Sequence, residues 1–210
     1  MKLKFLIRNA EHITRNAKLF KLLKLFKLKT QNFQTSNSEH KTNQPISQLT
    51  NQPTVNREDL QFLPISINVT NKKILLIGGG KVATHKGSIM ARFINQVTVI
   101  APEFTEEIKQ LPFTFIEKEY EKDDLVGFFL VYVCTGNHEL NAQIKVDSEK
   151  LGILTSVCDA PMLCDFVSPA IHKEGNVTIS IGTNGQNAMQ SVGIRNQITE
   201  LIKDGKIHIK

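Results

Sequence analysis

The stretch KKILLIGGGKVA, residues 72–83, limits what this chain can fold into more than any other feature. A short apolar run ends in three consecutive glycines, and a helical pattern begins directly after them. Apolar runs of this length bounded by glycine read as buried strands. The following residues 82–94 place Val82, Ala83, Ile89, Met90, Phe93 and Ile94 at helical spacing. A strand, a glycine turn and a helix in that order match G-x-G-x-x-A, and the turn of such a unit can hold a dinucleotide. Gly78 suits the tight bend, Gly80 lets backbone approach a pyrophosphate, and Ala83 allows helix to pack closely on sheet. The helix start offers free N–H groups and the positive end of a dipole to the anion. The alternative is a turn of purely structural purpose.

The rest of the body repeats the alternation. Strands are expected over 96–102, 113–120, 128–135 and 153–159, with a helix over 139–152 ended by Gly152. Strands alternating with helices imply a parallel, doubly wound sheet, an α/β Rossmann-type fold. After residue 160 the pattern changes to two strand candidates around Lys173-Glu174-Gly175, then a final helix over 188–203. A hairpin turn is expected to join the two strands.

In an open parallel sheet, ligands lie beyond the carboxyl ends of the strands. Four segments are expected to crowd that edge: the glycines 78–80, Pro102-Glu103, Thr135-Gly136-Asn137, and Asp159. Glu103 lies about twenty residues past the glycines, where an acidic side chain can bind a ribose. No Arg follows it to pair with a 2′-phosphate, so NAD is expected over NADP. Asp159 closes an apolar strand and is expected to be partly desolvated, which suits a general base. A turn-forming Asp before Ala160-Pro161 is the competing role. Asp165 is read as a loop cap. His85, His138, His172 and His208 have no ligand spacing, so no metal site is expected. No G-x-S-x-G elbow surrounds Ser180 or Ser191.

Charge narrows the class further. The net charge is +6, yet residues 1–60 hold eleven Lys and Arg against four Asp and Glu, and residues 61–210 hold fifteen against sixteen. The body is near neutral, which argues against nucleic acid as a partner. The basic excess sits in KLFKLLKLFKLK, where Lys18, Lys21, Lys24 and Lys27 oppose Leu19, Leu22, Leu23 and Phe26 on a helical wheel. Contact with an acidic membrane surface is one reading of that segment; a dispensable extension is the favoured one. Residues 30–57 are polar and read as a disordered linker. Three cysteines, Cys134, Cys158 and Cys164, form no CxxC pair. They read as buried apolar residues without a disulfide framework, in a reducing, cytoplasmic compartment. No run of eighteen apolar residues occurs, so no membrane span is expected.

Several separated motifs now agree. LPISINVTNKKILLIGGGKVATHK, VTVIAPE, CTGNHELN, SVCDAPMLCDFVSPAI and VTISIGTNGQNAMQSVGIRNQI occur in the order and spacing of one family. The chain resembles the precorrin-2 dehydrogenase/sirohydrochlorin ferrochelatase family, the N-terminal module of sirohaem synthases, from about Leu63 to Leu201. The resemblance implies an NAD-binding Rossmann domain over 61–160 and a small α+β dimerisation and substrate segment over 161–210, working as a homodimer. It implies NAD contacts at Gly78, Gly79, Gly80, Lys81, Val82, Pro102 and Glu103, with Thr135 and Gly136 on the same rim. Asp159, within C-D-A-P, matches the family's essential aspartate. The implied reaction is oxidation of precorrin-2 to sirohydrochlorin by an oxidoreductase acting on CH–CH bonds, with iron insertion as an alternative second activity. Two departures stand out. Asn187-Ala188 and Ser191-Val192 replace the Ser-Pro and Ala-Arg pairs common in the last motif, although Arg195 remains. They motivate a competing reading as a non-catalytic NAD-binding sensor. A short dehydrogenase of another kind is disfavoured, because no Tyr-x-x-x-Lys pair is present.

Overall fold

The structure, a computed structural model, describes residues 56–209. The basic helix and most of the polar linker expected over 1–60 lie outside the described residues.

Five strands form one parallel sheet: β1 (Ile74–Ile77), β2 (Val97–Ala101), β3 (Thr114–Glu117), β4 (Leu130–Val133) and β5 (Leu154–Val157). Their order is β3-β2-β1-β4-β5. Each lies inside its expected range. The ends are trimmed because chain beyond the last paired residue turns into the loops that carry the site. Helices α1 (Lys81–Met90), α2 (Glu106–Lys109) and α3 (His138–Lys150) follow β1, β2 and β4, and a 3₁₀ turn (Lys122–Leu125) links β3 to β4. This is a Rossmann-type arrangement with helices on both faces.

The sheet divides the core. Ile74 and Leu76 face α1 together with Ala83, Met90, Val97, Val99 and Ile108. Leu75 and Ile77 face α3 together with Val131, Val133, Ile144 and Val157. All four β1 residues are buried, as an unbroken apolar run in a two-sided sheet should be. Each such side chain contributes about 1.5–3 kcal/mol by leaving water. That anchors β1 in the middle and aims its carboxyl end at the glycines.

A second, antiparallel sheet follows. Strand β6 (Ala170–Glu174) pairs with β7 (Val177–Ile181) around a turn at Gly175, and α4 (Ala188–Lys203) packs beside them. Neither strand holds a buried residue, and α4 buries only Ser191. Met189 is 79% exposed, and Ile194 and Leu201 are also open. No helix among the described residues is long and apolar enough to cross a membrane.

Candidate functional site

Strand order reverses on the two sides of β1, because the chain runs outward through β2 and β3 and then returns to β4 on the opposite flank. The loops after β1 and β4 therefore diverge, and such a divergence forms the crevice of doubly wound sheets. Gly78 sits there at φ +121°, a conformation that side chains rarely adopt. A Cβ at Gly78 would lie 2.5 Å from the carbonyl oxygen of Cys134, and one at Gly79 would lie 1.9 Å from that of Glu103. The glycine turn is thus pressed between the loops after β4 and β2. The Gly78 N–H donates to Ile100 O at 2.8 Å, and the Thr105 N–H donates to Gly79 O at 2.9 Å. Gly80 differs, for a Cβ there would meet no protein atom within 4 Å. Its open side faces outward at the start of α1.

That helix start fits an anion. The other three α-helices described carry side-chain caps: Thr105 receives Ile108 N–H, Asn137 receives Glu139 and Leu140 N–H, and Asn187 receives Gln190 N–H. Helix α1 begins at Gly80 with no side-chain cap and no acidic residue in its first turn. Its first N–H groups are left for a ligand, and the dipole favours negative charge at the same place. Lys81 and Val82 are exposed there. A pyrophosphate matches this donor set, and the surrounding residues fit a dinucleotide. Thr84 Oγ1 accepts from or donates to Thr105 Oγ1 at 2.9 Å, tying α1 to the loop after β2. Pro102 and Glu103 are exposed on that loop.

The loop after β4 is braced from α3. Asn141, 1% exposed, donates through Nδ2 to Thr135 O at 3.1 Å and receives the Thr135 hydroxyl on Oδ1. Gly136 is exposed beside it. The parallel ladder continues past the strands, since Cys134 N–H donates to Ile77 O at 2.8 Å and Cys158 N–H to Val133 O at 2.9 Å. With Val133 opposite Val157, the loops that carry Thr135 and Asp159 leave adjacent strand ends. Asp159 therefore lies on the same edge as the glycine turn, two strands from it.

Asp159, expected to be partly desolvated by its apolar strand, has a side chain that is 46% exposed. The strand is buried only to Val157, and the chain has already left the sheet where Asp159 begins its turn. The cysteines, read as buried apolar residues without a disulfide framework, include one pair, Cys134 and Cys158, that stand side by side at the ends of β4 and β5. In-register parallel strands bring their Cα atoms to 5.4 Å, within disulfide reach. A separation of 24 residues gave no sign of it. This is one close pair and no framework.

The sequence reading gave Asn141 no role, placed Asn137 on the rim without its cap, and weighed His138 only as a metal ligand. Asn137 ahead of the α3 pattern is a legible N-cap signal. His138 has none, because its Nδ1 meets Asp159 Oδ2 at 3.5 Å only through the tertiary fold. Asp165 is indeed a cap, accepting Thr155 N–H at 2.8 Å and pairing with Lys145, which is 5% exposed. Cys164 is unpaired, and burial pushes its thiol above the usual value. Burial lowers the Lys86 ammonium below its ordinary value. No cluster of three His, Cys, Asp or Glu able to hold a metal ion occurs among the described residues.

Comparison with known proteins agrees with this geometry. A family model described as "Putative NAD(P)-binding" matches residues 65–170. The chain is 34% identical over 150 residues, 70% of its length, to a siroheme synthase of Psychrobacter sp. (strain PRwf-1). It is 30% identical over 143 residues, 66% of its length, to the "Probable multifunctional siroheme biosynthesis protein HemA" of Ruminiclostridium josui. The matched stretch spans 31% of the first protein and 28% of the second, so this chain corresponds to less than a third of either. Among solved structures, "SirC, precorrin-2 dehydrogenase" has the same fold, with a TM-score of 0.57 and 19% identity over 66% of this chain and 70% of that one. The chain belongs to the NAD(P)-binding family that this model defines, and it shares that domain with siroheme synthases.

Proposed function

We propose that this chain is a precorrin-2 dehydrogenase that uses NAD to make sirohydrochlorin. One arrangement supports the reading: an uncapped, glycine-opened helix start and a half-exposed carboxylate, Asp159, on one edge of a parallel sheet. The relatives named for siroheme synthesis and for precorrin-2 oxidation point to the same substrate.

In this reading Gly78, Gly79, Gly80, Lys81 and Val82 hold the pyrophosphate. Pro102 and Glu103 receive the ribose, with the carboxylate disfavouring a 2′-phosphate. Thr135 and Gly136 line the far side of the crevice, held in place by Asn141. When bound, the nicotinamide supplies the acceptor for a hydride leaving the macrocycle. Asp159 takes the second hydrogen as a proton, so that two C–H electrons pair across a new double bond. Its exposure leaves room for a large planar substrate.

The second segment suits pairing with another copy. Two five-residue strands and one helix cannot enclose a core alone, and the apolar residues Met189, Ile194 and Leu201 are left open. A cytoplasmic homodimer with precorrin-2 as its small-molecule partner follows from this reading. The departure at Asn187 has a structural use, since its side chain caps α4. That weakens the case for a non-catalytic sensor.

The test is direct. Purified protein with precorrin-2 and NAD should form NADH and sirohydrochlorin, followed by absorbance. Asp159→Asn should lose about 10²-fold or more of kcat, the usual weight of a general base, while still binding NAD. An active Asp159→Asn variant would remove Asp159 from the chemistry. Adding ferrous ion to the product mixture decides whether iron insertion belongs to this chain as well.

A further inference from the structure

We infer that His138 is a positioning and proton-relay residue for Asp159, carrying the proton that Asp159 collects out to water. This rests on the dehydrogenase reading above. His138 opens α3, in the loop after β4, and its Nδ1 lies 3.5 Å from Asp159 Oδ2, beyond β5. The two side chains are 79% and 46% exposed. An ion pair this open adds little stability, because water screens both charges. The first turn of a helix is also a poor place for a fixed positive charge. Fold stability therefore does not explain a histidine at this position, whereas a ring that can pass protons through two nitrogens suits it.

The geometry supplies a path. Asp159 gains a proton when the macrocycle is oxidised, and a second turnover needs the carboxylate back. Nδ1 accepts that proton, and the ring releases one from Nε2, which no hydrogen bond from the described residues occupies. An N–H bond forms at Nδ1 as the carboxyl O–H breaks, an N–H bond breaks at Nε2 as a proton passes to water, and exchange of ring protons with solvent at this 79% exposed side chain restores Nδ1 as the acceptor for the next turnover. The charged groups beside the imidazole are Asp159 across the strand ends and Glu139 next along α3. Asn137 is engaged in capping α3 and leaves the ring free to turn toward Asp159.

His138→Gln keeps a hydrogen-bonding side chain that cannot relay a proton, and His138→Ala opens a gap at an exposed site. The full chain should be assayed with precorrin-2 and NAD across pH. His138→Gln is expected to lower kcat about 10-fold, less than loss of the base itself, with KM unchanged. It should also flatten one ionisation in the kcat–pH profile. His138→Ala should regain rate with added imidazole, and calorimetric NAD binding should match the wild type in both variants. Wild-type kcat and pH profile in His138→Gln would overturn the relay. A rise in KM with unchanged kcat would do so too, by making His138 a binding group. If the wild type itself leaves precorrin-2 unchanged, the functional reading fails and the relay with it. An active wild type beside an unaffected His138→Gln sinks the relay alone.

Discussion

Gly79 and Gly80 are neighbours in one turn, and alanine should affect them in opposite ways. At Gly79 the new methyl would lie 1.9 Å from Glu103 O and 2.9 Å from the same carbonyl carbon. Both are backbone atoms, so no side chain can swing aside. The loop after β2 would have to retreat about 1.5 Å to reach ordinary contact. That retreat also breaks the Thr105 N–H bond to Gly79 O. Overpacking costs about 1–3 kcal/mol and the lost hydrogen bond about 1 kcal/mol, giving roughly 3 kcal/mol in all. For a domain of this size the melting temperature should fall by roughly 6–12 °C. At Gly80 the methyl meets no protein atom, so Gly80→Ala should melt within about 0.5 kcal/mol of wild type. It should instead lose the stabilisation by NAD, which at a hundredfold excess over Kd is worth about 2.7 kcal/mol. Thermal denaturation followed by circular dichroism, with and without NAD, reads both effects. A Gly80→Ala protein that NAD still stabilises fully would refute the seating of the pyrophosphate on this turn. A Gly79→Ala protein as stable as wild type would refute the close-packing argument.

Other consequences are as specific. Met189→Asp together with Ile194→Asp should yield a folded monomer, measured by sedimentation, if the open face of α4 meets a second copy; a protein monomeric before mutation would refute that. Glu103→Ser should narrow the preference for NAD over NADP by about tenfold, roughly 1.4 kcal/mol, read from the ratio of kcat/KM values; an unchanged ratio places the ribose elsewhere. Mild oxidation should link Cys134 to Cys158, so that the thiols titrated under denaturing conditions fall from three to one and return to three after reduction; three thiols after oxidation would refute the cross-strand proximity. In the folded state the remaining thiol, Cys164, should alkylate slowly, because burial keeps it protonated.

Much of this protein was already written in its order of residues. Apolar runs too short for helices, with helical periods after the first and fourth of them, leave a parallel sheet as the arrangement that buries both faces, and all five strands lie where that pattern puts them. Glycines that end β1 mark the turn, since backbone chemistry at Gly78 is local and needs no knowledge of distant chain. What only the tertiary structure decided are meetings between loops. Gly79 is held by Glu103, Cys134 finds Cys158, and His138 reaches Asp159, each across a gap between strands that are neighbours in the sheet. Register and strand order fix such meetings, and both come from packing of the whole sheet. The exposure of Asp159 belongs with them, because where a strand leaves its neighbours sets burial, and residue hydrophobicity along the strand does not report it.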